Sequence, residues 1–368
     1  MTGRQMLDFQ ANRIEMVLAS HRVPGRVAGG LVTPRLVRFQ FVPQLGARIN
    51  RLKTLSEEIA LCLNAADCRI HRQEGQINID IPRSEAGPVR LLPLCSRLAA
   101  TPGCAPLLGL DEEGFPVLLS LPAPEISHVL VSGTTGSGKT ALARSMITSL
   151  AIHNHQGMLQ LALIDMKQRG LAPFQDLPHL LAPIAGTAEE AVRLLERLTS
   201  EMERRDAQRI VSPRIVVVVD ELAELVLLGG ERAQELLTRL TQRGREAGIH
   251  VVACTQKPLA SVIGSLVKAN FPARVVGKVA SAEDARVATG LSGTGAERLA
   301  RAGDFILVAG HSQVRIQGAL VTEREIQRVI SWLHQEKRRR RRHWSEEGAA
   351  KPALLSAGLR QAARSVRP

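Results

Sequence analysis

The sequence predicts an α/β protein whose main domain is a mainly parallel sheet around a phosphate-binding loop, preceded by a small α+β domain. Three observations carry this. From about residue 107 onward, short apolar runs alternate with amphipathic helical stretches, the pattern of a parallel sheet covered on both faces. One run, 128–132, leads directly into Gly133-Thr134-Thr135-Gly136-Ser137-Gly138-Lys139-Thr140, a G-x-x-x-x-G-K-T sequence with a helical stretch behind it. Upstream, residues 36–42 alternate Val37, Phe39 and Phe41 with Arg38 and Gln40, the period of a half-buried strand.

Taken in order, the opening 20 or so residues have the pattern of a helix and 36–42 that of the first strand. A helix follows, with Leu52, Leu55, Ile59 and Leu63 three and four residues apart, and then strands at 68–71 and 77–81. This β-α-β-β module fills residues 1–100, with Pro-containing sequence at 91–106 as the linker out of it. The main domain, 101–333, has strands expected at 128–132, 159–164, 214–219, 249–253 and 273–276, with 305–308 and 314–317 closing the sheet. Thr187, with Glu190 three residues on, makes a capping box for a helix carrying Val192, Leu195, Leu198 and Met202. Residues 334–368, with Lys337 followed by five arginines, have the composition of a basic, disordered tail.

Composition narrows the function. At 368 residues, 45% hydrophobic and 23% charged, the chain is globular. Its five cysteines are scattered and never spaced C-x-x-C, which suggests neither a disulfide framework nor a zinc site and fits a reducing cytoplasm. The longest apolar stretch, 215–229, is broken by Asp220, Glu221 and Glu224, so nothing spans a membrane. Of the formal net charge of +13, residues 335–368 carry ten Lys/Arg against three Asp/Glu, a net of +7, and the rest of the chain keeps +6. A basic body favours a polyanion such as nucleic acid. With no tyrosine, seven phenylalanines and two tryptophans, a groove of base-stacking rings is disfavoured, and a duplex backbone suits the chain better than unstacked bases.

The chemistry concentrates at three strand ends. In the phosphate loop, glycines let backbone N–H groups curl around phosphates, Lys139 reaches the β and γ oxygens, and Thr140 is placed to hold Mg²⁺. The 214–219 run ends in Asp220 and Glu221: the first suits Mg²⁺ through water, the second the polarisation of an attacking water. The same pair also suits a helix N-cap with an acid in its first turn. The 249–253 strand ends at Cys254-Thr255-Gln256, where an amide beside the site would sense the γ-phosphate; a polar strand end without a role is the plainer reading.

These stretches resemble the motor portion of the FtsK/SpoIIIE DNA translocases, within the HerA/FtsK class of RecA-like ring ATPases. The matching segments are 128–140, Ile164-Asp165-Met166-Lys167, Pro178-His179-Leu180-Leu181, Glu201-Met202-Glu203-Arg204-Arg205, Val219-Asp220-Glu221-Leu222-Ala223, Ala247-Gly248-Ile249-His250 and Cys254-Thr255-Gln256-Lys257-Pro258; Lys268-Ala269-Asn270 and Gly303-Asp304 also match. The small module resembles the family's α domain. The resemblance implies ATP and Mg²⁺ as cofactors, double-stranded DNA as substrate, and a homo-hexameric ring. It further implies that Arg245 is an arginine finger offered to the neighbouring subunit, and that Lys257, Lys268 and Arg286 face DNA in the pore. Departures are Met166 where the family has proline, Lys257 where it has arginine, and Ala282-Glu283 where a pore lysine is usual. No stretch resembles the family's membrane anchor or winged-helix γ domain, so a cytoplasmic motor is expected, with any membrane attachment left to a partner protein. The resemblance leaves the task open between chromosome or mobile-element transport, conjugative transfer, DNA packaging, and a secretion-type coupling ATPase acting on protein substrates.

Overall fold

The computed structural model describes residues 3–33, 36–44, 47, 52, 54–65, 67–73, 75–83, 87–98, 101–256, 270–300, 302–310 and 312–346. The chain divides into two compact units, Met1–Pro88 with Glu112–Phe115, and Val89–Asp111 with the chain from Pro116 onward.

In the first unit, helix α1 (Gly3–Ser20) and strands β1 (Gly25–Val32) and β2 (Leu36–Pro43) precede helix α2 (Ser56–Cys62) and strands β3 (Arg69–Gln73) and β4 (Gln76–Pro82). The four strands form one sheet, ordered β1-β2-β4-β3, and every pairing is antiparallel. The alternation in β2 works as expected, with Val37, Phe39 and Phe41 buried against Ile77, Ile79 and Ile81 of β4 and against Ile14, Leu18 and Ile59. Its polar face carries a cross-strand pair: Arg38 donates Nε and Nη2 to the two Asp80 carboxylate oxygens at 2.8 and 2.9 Å. The sequence signal missed β1, because GRVAGGLV holds three glycines and its side chains are mostly exposed at the edge of the sheet.

The second unit begins earlier than residue 101. Strand β5 (Val89–Arg90) lies just before the expected linker and helix α3 (Leu91–Cys95) occupies its start, and Leu91, Leu92, Leu94 and Cys95 are buried in the main core. Pro93 misled the reading, since proline in a first helical turn costs no hydrogen bond. Hairpin strands β6 (Leu107–Asp111) and β7 (Pro116–Leu118) follow, then β8 (Val129–Ser132), α4 (Lys139–His153), β9 (Leu159–Ile164), α5 (Ala188–Gln208), β10 (Arg214–Val219), α6 (Leu222–Arg243), β11 (Ile249–Thr255), β12 (Ala273–Val276), α7 (Ala282–Thr289), β13 (Asp304–Ala309), β14 (Ser312–Leu320) and α8 (Glu323–Glu346). Among the described residues the strands make one ten-stranded sheet, ordered β7-β6-β14-β13-β12-β8-β11-β10-β9, with β5 paired to β14. The run β12-β8-β11-β10-β9 is parallel, and β13 turns the sheet antiparallel.

Alternate residues of these strands feed two cores. Val129, Val131, Leu161, Leu163, Val216 and Val218 face α4 and α8, while Leu130, Ala162, Ile164, Val217, Val219 and Val251 face α5 and α6. Both faces are buried, which is why the strands read as continuous apolar runs. The capping box at α5 is present, Thr187 Oγ1 accepting from Glu190 N and the Glu190 carboxylate from Thr187 N.

The expected tail corrects to a helix as far as Glu346. Thr322 and Glu325 cap α8 reciprocally, and Ile326, Val329 and Ile330 dock it on the core. Once nucleated, a helix propagates cheaply through Gln, Glu, Lys and Arg. No described helix is long and apolar enough to cross a membrane.

Two histidines are sealed between β8 and β11. His128 Nδ1 accepts from Val251 N at 3.0 Å, and His250 Nδ1 lies 3.0 Å from the Ser127 carbonyl. Burial pushes their pKa values down, to about 3 and about 4, so both are neutral in the fold, whereas in the unfolded chain they titrate near ~6.5. The unfolded state therefore binds protons that the fold refuses, and stability present above about pH 6.5 is lost as pH falls toward 4, on the order of 2 kcal/mol per histidine by pH 5. Denaturant titrations at pH 7 and 5 should show a smaller loss in His128→Asn, which keeps an acceptor for Val251 N, than in the wild type; equal losses would refute this.

Candidate functional site

The parallel order places β11 between β8 and β10, so three strand ends converge. From β8 the chain enters the loop Gly133–Thr140 and then α4. Gly138 caps the helix at φ +99°, where a Cβ would lie 3.0 Å from Gly303 N, so only glycine suits that position. The loop is backed by protein on two sides. Thr134 N donates to Lys278 O at 2.8 Å, and Gly303 N donates to Ser137 O at 2.9 Å. Asp304, next to Gly303, is buried and clasps Arg315 through both carboxylate oxygens, which explains the Gly303-Asp304 pair as a support for the loop.

Lys139 is buried and folds back on its own loop, donating from Nζ to Gly133 O at 2.8 Å and Thr134 O at 3.0 Å. Burial lowers its pKa, and the nearby acids Glu221 and Asp220 oppose that shift. Thr140 Oγ1 donates to Asp220 Oδ1 at 3.0 Å. Burial raises the Asp220 pKa, countered by that hydroxyl and reinforced by Asp165 and Glu221. Beside it Glu221 is buried at the start of α6; its Oε1 accepts from Gln256 N at 3.1 Å. The Gln256 side chain reaches the other way, its Oε1 accepting from Thr135 Oγ1 at 2.9 Å. Thus Lys139, Thr140, Asp220, Glu221 and Gln256, all named from the sequence, lie together at these strand ends. Cys254, fully buried beneath them, has its thiol pKa pushed up by burial, which removes it from nucleophilic chemistry.

Four residues of this site had no assigned role in the sequence reading. Lys167 places Nζ 3.8 Å from Glu221 Oε2 and 3.6 Å from Glu224 Oε2. Asp165, buried at the end of β9, accepts from Lys167 N and Leu171 N and so shapes the loop beside Asp220. Within that loop Gly170 approaches Asp220 so closely that a Cβ would lie 2.4 Å from Oδ2. Arg144, one turn past Thr140, fastens the loop by donating to Gly170 O and Arg169 O. The Asp165-Met166-Lys167 segment was the available signal, without a role attached to it.

The remaining candidates lie elsewhere. Arg245 is exposed in the turn before β11, at the opposite end of that strand from Gln256. Arg286 is exposed on α7 and bound to Glu283 three residues earlier, Nη2 to Oε1 at 2.6 Å. Lys257 and Lys268 lie outside the described residues.

Fold and site together define a P-loop ATPase. Comparison with known sequences gives the narrower group. The FtsK/SpoIIIE family profile matches residues 105–212 and 207–260, and the FtsK alpha domain profile matches residues 2–83. The chain is 32% identical over 362 residues to the DNA translocase FtsK of Sporosarcina ureae, covering 89% of this chain and 46% of that protein. It is also 32% identical over 354 residues to the DNA translocase SftA of Bacillus subtilis, with 88% and 37% covered. The chain therefore spans about half or less of the length of these curated relatives. Among solved structures, the pCW3 conjugation coupling protein TcpA, in monomer form with ATPgS, matches at a TM-score of 0.56 and 17% identity over 88% of this chain and 99% of that one. The cytoplasmic domain of the Thermomonospora curvata type VII secretion ATPase EccC matches at 0.58 and 22% identity over 67% of this chain and 34% of that one. At those identities the likeness is one of fold. The chain belongs to the FtsK/SpoIIIE family.

Gly170→Ala should push Asp220 out of place without touching Lys139. Turnover of ATP is expected to fall on the order of tenfold and to need more Mg²⁺ for half its maximum. An unchanged Mg²⁺ titration would show that Asp220 does not depend on that space.

Proposed function

We propose that the chain is the motor of an ATP-hydrolysing double-stranded DNA translocase that works as a homo-hexameric ring. The observation that carries this reading is the site itself: Glu221, held by Gln256 N–H beside a phosphate loop and a Thr140–Asp220 pair, in a family whose relatives are named DNA translocases. When nucleotide enters, Lys139 exchanges two carbonyls of its own loop for β and γ oxygens, so its binding bonds are preformed in kind. Glu221 accepts the proton of the attacking water, and Lys167 with Gln256 N–H keeps its carboxylate oriented. Gln256 lies within reach of both the loop and the base, which suits it to report the γ-phosphate. Thr140 Oγ1 and Asp220 Oδ1, 3.0 Å apart, form an oxygen pair suited to a Mg²⁺ ion, with Asp220 reaching it through water. These two residues would hold such an ion, which would neutralise phosphate charge.

Arg245 cannot serve its own loop. Its turn starts a seven-residue strand whose far end carries Gln256, so roughly 20 Å of β-strand separates the two. An arginine finger at that position acts on a neighbouring subunit, as a closed ring allows. For DNA, the basic body of the chain supplies phosphate attraction, and Arg286 joins the grip by trading Glu283 for a phosphate. Lys257 and Lys268 complete the proposed pore contacts. A cytoplasmic setting goes with this reading, and membrane attachment, where it occurs, falls to a partner protein.

ATP hydrolysis measured with no polymer, single-stranded DNA, duplex DNA and RNA tests the substrate. Duplex should stimulate turnover several-fold and single strands little; equal stimulation by both, or none by either, would sink the duplex reading in favour of another cargo.

The roles divide within the site as well. Glu221→Gln should bind ATP as the wild type does while hydrolysis drops by a factor of about 1,000, because the amide keeps the shape and cannot take a proton. Loss of nucleotide binding in that variant would contradict the assignment.

A further inference from the structure

Arg205 is the last-turn arginine of α5, and its side chain is only 3% exposed. A buried guanidinium is unfavourable unless its charge and its N–H groups are all engaged. Here Nε donates to Glu201 Oε1 at 2.7 Å, and Nη1 donates to Pro213 O at 2.7 Å and to Ala247 O at 3.1 Å. The two carbonyls belong to different turns. Pro213 immediately precedes β10, the strand that ends in the acid pair, while Ala247 lies in the turn that carries Arg245. That turn closes on itself through Gly248 N and Arg245 O at 3.0 Å, and Gly248, at φ +70°, packs so tightly that a Cβ would meet Val211 O.

The neighbouring ion pairs fix the same region from the side. Asp206 binds Arg243 at 2.8 Å, Glu203 binds Arg239, and Glu196 binds Arg232 at 2.9 Å, so α5 and the second half of α6 are laced together up to the turn. Glu201 is itself held by Arg204 and Arg205, which keep its carboxyl well below the usual range, at about 2. It is therefore a permanent anion beneath Arg205. An apolar side chain in its place could not bond to the two carbonyls.

We infer that Arg205 is a positioning residue for Arg245: its paired carbonyl contacts set the finger-bearing turn against the base of the β10 strand. This rests on the reading of Arg245 as a finger in trans. Geometry at a transferring phosphate is unforgiving, and a displacement of about 1 Å can cost on the order of 100-fold.

The test is turnover in equimolar mixtures of full-length variants. Arg205→Gln alone should lose roughly 10- to 100-fold in kcat with little change in KM for ATP, since its own phosphate loop is intact. Mixed with Lys139→Ala, which keeps a good finger and lacks a working loop, it should regain activity; mixed with Arg245→Ala it should not, because both lack the finger. Arg205→Lys, which keeps the buried cation and its Glu201 partner, should show the same pattern with a smaller loss, and it serves where the glutamine variant folds poorly. The Arg245→Ala and Lys139→Ala mixture is the control. Recovery in the control without recovery for the Arg205 variants overturns this inference alone, and failure of the control overturns the finger reading beneath it. Recovery of Arg205→Gln by Arg245→Ala, or wild-type turnover in both Arg205 variants, would also overturn the positioning role.

Discussion

The position of β11 between β8 and β10 is the constraint from which the rest of the motor unit follows. Because the three strands are parallel, their C-terminal ends fall on one edge of the sheet, within two strand spacings of about 4.8 Å each. Glu221 and Gln256 are 35 residues apart in sequence and Thr135 and Gln256 are 121 apart, yet each pair is joined by one hydrogen bond. The same direction rule sends the start of β11 to the other edge, which is where Arg245 emerges. One chain thus carries its phosphate loop and acid pair at one edge of the sheet and the exposed Arg245 at the other.

Charge burial decides how the site rests. Lys139, Asp165 and Glu221 are all buried, and none is left as an isolated ion. Each has exchangeable or permanent partners according to its task. Asp165 is held by backbone N–H groups that will not move, as suits a residue that shapes a loop. Lys139 is held by carbonyls that a phosphate can replace, and Glu221 has a distant cation and a single N–H. The working groups are satisfied enough to stay buried and are not locked in place.

Legibility in the sequence follows the same physics. The five parallel strands were plain because double-sided burial writes uninterrupted apolar runs, and the phosphate loop was plain because its glycine and lysine spacing is set by backbone geometry. By contrast β1, β5 and α3 were hidden, the first by glycines at an exposed edge, the second by its length of two residues and the third by a proline in a place where proline is harmless. The arginine run read as disorder because charge density was weighed without the docked turns before it that nucleate α8. Lys139, Thr140, Asp220, Glu221 and Gln256 carry a signature in type and spacing and were named as candidates, whereas Arg144, which fastens its loop through carbonyls, was not, since a carbonyl has no letter in the sequence. The roles of Arg245, Arg286, Lys257 and Lys268 came from resemblance and had no local signal.

Arg144 extends this point from a single residue to the architecture. It sits on α4 directly behind the phosphate loop, and one guanidinium contacts three partners: Gly170 O at 2.6 Å, Arg169 O at 3.1 Å and Glu323 Oε1 at 2.9 Å. Glu323 opens α8, whose later turns bond to the same stretch through Gln327 to Pro173 O and His334 to Asp176 O. The loop that crowds Asp220 is consequently pinned between the helix that begins at the phosphates and the helix that leads into the arginine run. Arg144 thus links α8 to the loop that packs against the Asp220 carboxylate, whereas the pairs between α5 and α6 form a separate brace that ends near Arg245. The loop beside Asp220 and the turn that carries Arg245 are thereby held by different helices on opposite faces of one sheet.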